Sequence, residues 1–218
     1  PMVTNKKRGS GFLPHFDLIK LFLDEVCSEI EIALSLKVRL GLEESTDLNG
    51  LMPLFNNYPL KKIIIHPRTG KQMYEGKVDL DRFEQAAALS THEIMYNGDI
   101  KDVATFKMLQ SRFPEIREWM IGRWAIDNPF LPSLIKGGEP VAEPLPLIRA
   151  FHDDLYAAYL EQLSGPAHLL DKMKEIWIYL GRSFNGVDGL LSKMPKTKTI
   201  EKYNHNVDTI FTQGCWGA

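Results

Sequence analysis

Four groups of polar residues close apolar runs in this 218-residue chain: Lys37 with Arg39, His66 with Arg68, Asn97-Gly98-Asp99, and Gly122-Arg123. Lysine and arginine attract anionic or electron-rich ligands, and an imidazole serves acid–base or hydrogen-bonding roles. Glycine followed by arginine suits a phosphate, because the backbone can approach closely and the guanidinium supplies a forked donor. Each group also has an ordinary structural reading. Lys37 in an apolar strand either pairs with a neighbouring carboxylate or contacts an anionic ligand. His66 is either a hydrogen-bonded core histidine or a working one. Asn-Gly is a common hairpin turn, yet a helical pattern, not a strand, follows Asp99.

The elements that must position these groups repeat. Ile63-Ile64-Ile65 is a β-branched run of the kind buried on both faces of a parallel sheet, and it stops at His66-Pro67-Arg68-Thr69. Leu34–Gly41, Glu93–Asp99 and Glu118–Arg123 follow the same grammar. Their centres and that of the isoleucine run (Leu36, Ile64, Met95, Met120) lie 28, 31 and 25 residues apart, the length of a strand, a crossover helix and two loops. Amphipathic periodicity predicts helices over 14–32, 48–58 (interrupted at Pro53), 80–90 and 100–113, with Asp99 as a candidate N-cap of the last. In sheets wrapped by helices, ligands sit beyond the carboxyl ends of the strands, where all four polar groups fall.

After Arg123 the pattern changes. Residues 139–146 hold three prolines, placing a domain boundary there, and 147–163, 166–184 and 200–211 read as helices without an intervening strand. The expected organisation is therefore 1–138 as a βα domain and 139–218 as a helical one.

Composition narrows the class. A hydrophobic content of 44% is that of a globular protein, and a net charge of −2 gives no overall attraction to nucleic acid. No apolar run approaches the ~20 residues that span a bilayer, and no signal peptide or metal-site spacing is visible. Cys27 and Cys215 do not make a disulfide framework, which predicts a cytoplasmic protein. Pro1 ahead of Met2 predicts a fragment of a longer chain.

Taken together, the ordered groups resemble the tRNA-dihydrouridine synthase family of flavin-dependent (β/α)8 barrels with a helical C-terminal domain. The matching residues are Leu36-Lys37-Val38-Arg39-Leu40-Gly41, His66-Pro67-Arg68-Thr69 with Tyr74, Gly76, Lys77 and Asp79, Asn97-Gly98-Asp99-Ile100, and Ile121-Gly122-Arg123 with Ala125 and Asn128-Pro129. The early loop Lys6-Lys7-x-Gly9-x-Gly11 with Leu13 also looks like the loop after the family's fourth strand. The resemblance spans residues 1–138 and is architectural beyond. It implies an α/β TIM barrel, here only its later βα units, followed by an all-helical tail.

It further implies that FMN is held at the strand ends, with Lys37 and His66 at the flavin and Asn97, Gly98, Asp99, Gly122 and Arg123 at the ribityl and phosphate end. The implied reaction is NAD(P)H-driven reduction of uridine to 5,6-dihydrouridine in tRNA, with hydride delivered to C6 of an extruded base. Arg8, Arg68 and Lys71 are the expected RNA contacts, and Lys193, Lys196, Lys198 and Lys202 of the tail suit phosphates. From Glu139 onward acidic residues (10) slightly outnumber lysine and arginine (8), so only a local patch of the tail could serve.

The proton-donating cysteine of the family belongs to an Asn-x-Gly-Cys-Pro motif that this sequence does not contain, so it is expected just upstream of Pro1. Pro67 and Trp124 stand where the family usually has glycine, and Tyr96 where it has a small residue. Four βα units cannot close such a barrel alone, so pairing of two copies is one expectation and a fragment inactive by itself is another. Two other readings remain open: a truncated half-barrel that keeps RNA-binding surface, and a different FMN-dependent TIM-barrel oxidoreductase.

Overall fold

A computed structural model describes residues 8–217 and resolves two compact units, one running to Ile100 and including Ala104–Ile121, the other comprising Lys101–Val103 and Gly122 onward. The break after Ile121 precedes the proline-rich stretch.

The first unit is an α/β arrangement around a four-stranded parallel sheet of order β1-β2-β3-β4, formed by Leu34–Arg39, Leu60–His66, Glu93–Tyr96 and Glu118–Trp119. Sequential strands neighbour one another, each joined to the next by a crossover. The fourth strand is shorter than its apolar run predicts. Only Glu118 and Trp119 pair with β3, and Met120 N–H then donates to the Tyr96 carbonyl before the chain leaves. Helices α1 (Phe16–Glu29), α2 (Asp47–Phe55), α3 (Leu80–Ala88) and α4 (Val103–Arg112) alternate with the strands. α2 runs through Pro53 and ends two residues beyond it. α3 starts where the sequence predicts: the Asp79 carboxylate caps it by accepting from Arg82 N–H at 2.9 Å. α4 starts four residues after Asp99, which is therefore not its N-cap.

Register sorts the sheet into two faces. Leu36, Ile63, Ile94 share one, with Val38, Ile65 and Tyr96, and these pack under helices. Lys37, Ile64 and Met95 share the other, with Arg39 and His66. Ile63 and Ile65 have no accessible surface, and each such side chain contributes about 1.5–3 kcal/mol through burial. At the far end of β2, the Lys62 ammonium is paired with Glu118 and lies 3.9 Å from Glu93, joining β2 to β4 and β3. β1 is an outer strand among the described residues, with a cavity of about 300 Å³ beside it lined by Phe12, Phe22, Leu36 and Val38. α1 buries Ile19 and Leu23 and leaves Phe16, Leu18, Leu21 and Phe22 exposed.

The second unit is mainly helical: α5 (Trp124–Asp127), α6 (Leu131–Ile135), α7 (Pro144–Gln162), α8 (Pro166–Leu180), α9 (Asp188–Leu191) and α10 (Ile200–Gln213). It is not all-helical, because Phe184–Asn185 (β5) pairs antiparallel with Cys215–Trp216 (β6). Its core gathers Ile148, Leu169, Met173, Leu180, Val207 and Ile210 around a buried polar chain. Trp177 Nε1–H donates to the Tyr203 hydroxyl at 2.9 Å, and that hydroxyl lies 2.7 Å from His152 Nε2. His152 Nδ1 is 2.8 Å from the Asp153 carboxylate. Indole can only donate, so Tyr203 passes its proton toward Nε2 and the Nδ1 proton points at Asp153. Burial holds the His152 pKa below its ordinary value although Asp153 opposes it.

Candidate active site

The strand ends of the first unit bring Lys37, His66 and Asn97-Gly98-Asp99 to one edge of the sheet, as their places in the sequence predict. Lys37 points off the face opposite the helices and is exposed, and among the described residues no carboxylate pairs with it. Desolvation by the surrounding face, and then the charge of Arg39, pull its ammonium below the ordinary lysine pKa.

His66 is buried, 6% exposed, and its Nε2 lies 3.3 Å from Arg68 Nη1. A guanidinium has no acceptor, so Nε2 accepts and the ring proton sits on Nδ1. Burial first, then Arg39, Lys37 and Arg68, hold its pKa down at about 3, with Asp99 opposing. The imidazole is therefore neutral at physiological pH and cannot act there as a proton-charged acid.

Arg68 is where the sequence reading and the structure part. It is 2% exposed and turned inward, not toward solvent. Nη1 and Nη2 donate to the two carboxylate oxygens of Asp99 at 3.1 and 2.5 Å, and Nη2 and Nε also donate to the carbonyls of Gly76 and Glu75 at 2.7 and 3.4 Å. A guanidinium so engaged does not offer its fork to RNA. Arg39 does similar work from β1, donating to the carbonyls of Thr69 and Met73, each at 2.7 Å, with its guanidinium 5.4 Å from the Tyr74 ring centre. Two arginines thus hold the 67–79 loop from beneath. The loop closes on itself through Asp79 N–H to the Pro67 carbonyl, and it is joined to the 41–42 segment through Gly70 and Lys71 N–H. Composition gave no signal for this: the arginines look like surface cations until their carbonyl partners are known.

Asn97 is also a stitch between strands. Its backbone N–H donates to Ile65 O, and its side-chain amide donates to the Met120 carbonyl at 2.8 Å. Lys71 remains outward, with 66% of its side chain exposed and Glu43 2.7 Å away. Arg8 is exposed as well; Lys6 and Lys7 lie outside the described residues.

In the second unit, Gly122 is exposed and a Cβ there meets nothing within 4 Å, so its backbone lies open to a ligand. Arg123 stands at the N-cap position of α5. Lys193, Lys196, Lys198 and Lys202 are all exposed. The chemistry of the first unit's donors, with an ammonium lacking a carboxylate and a neutral imidazole beside it, fits an anionic, hydrogen-bonding cofactor. The described residues contain no cluster of histidine, cysteine or acidic side chains able to hold a metal, and no helix long and apolar enough to cross a membrane.

Comparison with known proteins gives one consistent result. The family model described as dihydrouridine synthase matches residues 1–212. tRNA-dihydrouridine synthase B of Pasteurella multocida is 28% identical over 147 residues, covering 65% of this chain and 44% of that protein. The protein of the same name from Escherichia coli K12 is 26% identical over 172 residues, covering 76% and 53%. An Arabidopsis thaliana protein named tRNA-dihydrouridine(47) synthase [NAD(P)(+)]-like is 28% identical over 138 residues, covering 62% and 20%. The chain spans about half the length of the bacterial relatives just described.

Proposed function

Because this chain belongs to the dihydrouridine synthase family, we propose that it forms the later part of an FMN-binding barrel that reduces uridine to 5,6-dihydrouridine in tRNA at the expense of NAD(P)H. The observation that carries this reading is Lys37: an ammonium on the open sheet face with no carboxylate beside it among the described residues, next to a neutral His66. Bound FMN supplies the hydride chemistry.

The chain's own residues bind and orient. Lys37 offers positive charge to the electron-rich flavin, and the Nδ1–H of His66 offers a neutral donor. Asn97, Gly98 and Asp99 shape the turn for the ribityl chain; Gly122 and Arg123, in the second unit, are by themselves of a kind that suits a phosphate. Arg39 and Arg68 fix the 67–79 loop through its carbonyls. Arg8 and Lys71, with the tail lysines 193, 196, 198 and 202, suit RNA phosphates, and the 139–218 region reads as the tRNA-gripping domain.

The outer position of β1 and the exposed apolar side chains of α1 support a larger barrel around these four strands. Cys27 lies within α1 and Cys215 in β6, so neither suits the role of proton donor to the uracil. That donor is read as lying on another stretch of the protein, and these 218 residues alone as inactive.

Titration of the 218-residue protein with FMN, followed by flavin fluorescence, tests the cofactor assignment. Saturable quenching, weakened by Lys37→Ala, is the expected result. No uptake, either by this chain or by one extended through the Gly-Cys-Pro motif, rejects it.

A further inference from the structure

We infer that Tyr96 is a positioning residue for the Asn97-Gly98-Asp99 turn and that it acts as a coupled pair with Gly98. The cofactor half of this inference rests on the flavin reading above; the coupling itself does not. Tyr96 ends β3, has no accessible surface, and sets its ring among Phe83, Trp119 and Phe113 at centroid distances of 4.9, 5.5 and 6.2 Å. The chain then folds back over that ring. A Cβ added to Gly98 would lie 2.1 Å from the Tyr96 hydroxyl oxygen, 2.5 Å from Cζ and 2.7 Å from Cε1. The tyrosine ring therefore occupies the space of a side chain at position 98, and only glycine fits above it.

The turn is otherwise held from its ends. Asn97 is tied to Ile65 and Met120, Ile100 N–H donates to the Gly98 carbonyl at 2.9 Å, and Arg68 holds Asp99. Between these fixed points the ring is the floor that sets the height of the Gly98 peptide. The Tyr96 hydroxyl is buried and has no hydrogen-bond partner among the described residues, a state that disfavours the fold. The shape of the ring, not its hydroxyl bonding, is what the turn uses. A small residue before Asn97 leaves the turn free to sink; a tyrosine holds it up.

The experiment is a double-mutant cycle in the 218-residue protein, read by urea midpoint without ligand and by the FMN dissociation constant. Gly98→Ala is expected to lower the midpoint and weaken FMN about tenfold or more, since the ring cannot retreat from a packed core. In a Tyr96→Val background the same Gly98→Ala change is expected to cost little, so the double variant binds FMN better than Gly98→Ala alone. Tyr96→Phe alone is expected to hold or raise the midpoint and keep FMN affinity within about twofold.

If Tyr96→Val does not fold, Tyr96→Leu, which also removes the ring carbons 2.5 and 2.7 Å from a Cβ at position 98, replaces it in the cycle. A Gly98→Ala cost undiminished in that background overturns the inference. Additive effects in the cycle, or a neutral Gly98→Ala, overturn it too. A Tyr96→Phe variant as impaired as Tyr96→Val assigns the role to the hydroxyl and overturns the floor. Failure of the unsubstituted protein to take FMN rejects the flavin reading and the cofactor half with it, while the urea cycle still decides the coupling.

Discussion

Arg68 and Asp99 stand 31 residues apart in sequence and meet as a two-pronged ion pair across the ends of β2 and β3, at 3.1 and 2.5 Å. Arg68 is buried and Asp99 partly so, with 30% of its side chain accessible. The pair joins the loop that follows His66 to the turn that carries Asn97, so two regions read separately from sequence are tied together. The arginine also sets the tautomer of His66, because its Nη1 can only donate to the ring.

Removing the Asp99 carboxylate leaves the buried Arg68 charge with only backbone carbonyls to answer it. Asp99→Asn is expected to destabilise the first unit by about 3–5 kcal/mol, and Arg68→Met, which leaves a partly solvated carboxylate, by about 1–3 kcal/mol. Arg68→Lys should recover little, since an ammonium cannot serve both carboxylate oxygens and the carbonyls of Glu75 and Gly76 together. Urea unfolding of the three variants checks this; a loss below about 1 kcal/mol for Arg68→Met contradicts it.

His66 makes stability depend on pH. Its native pKa of about 3 lies below the unfolded value of about 6.5. Between those two values the unfolded chain binds a proton that the native site refuses. Stability is therefore fully present above pH 6.5 and falls as the pH drops toward 3. By pH 5 the expected loss from this one group is about 2 kcal/mol. His66→Asn should flatten the mean slope between pH 7 and 5 by about 0.7 of a proton, whatever it does to stability at pH 7. An unchanged slope contradicts the assignment.

The repeat of strands and the faces of the helices were legible because each depends on local pattern: β-branched runs and helical periodicity. The placement of Lys37 and His66 at the strand ends followed from the same grammar. Arg68 was misread as an RNA contact because a charged residue in a polar loop gives no local sign that its partner lies 31 residues away. Asp99 was misread as a cap for the same reason: its carboxylate is taken by Arg68 and the helix starts later. β4 was read as a strand and is shorter than its apolar run, while the β5–β6 pair was missed because two-residue strands have no periodicity to detect.

In the second unit, the chain from Trp177 through Tyr203 and His152 to Asp153 predicts a large effect from one oxygen atom. Tyr203→Phe strands the indole N–H and the acceptor nitrogen of His152 inside the core. At about 1–3 kcal/mol for each unpaired buried group, the expected loss is about 2–6 kcal/mol, where exposed substitutions change stability by about 0.5 kcal/mol. The indole's hydrogen bond is lost as well, so the Trp177 emission should shift. Fluorescence-detected unfolding of Tyr203→Phe reads both, and a variant as stable as the parent contradicts the network.

Lys71 separates binding from folding. Its ion pair with Glu43 is exposed on both sides, and such pairs contribute about 0–1 kcal/mol, so Lys71→Ala should leave the urea midpoint nearly unchanged. If its ammonium also meets an RNA phosphate, the same variant should lower tRNA affinity and reduce the slope of log K against log salt by about 0.7–0.9. Arg68→Met, whose guanidinium is buried, should show the reverse pattern: a loss of stability and no specific change in salt slope. Measuring the salt dependence of tRNA binding for both variants distinguishes the two roles. Equal slopes for Lys71→Ala and the parent remove Lys71 from the RNA-facing surface.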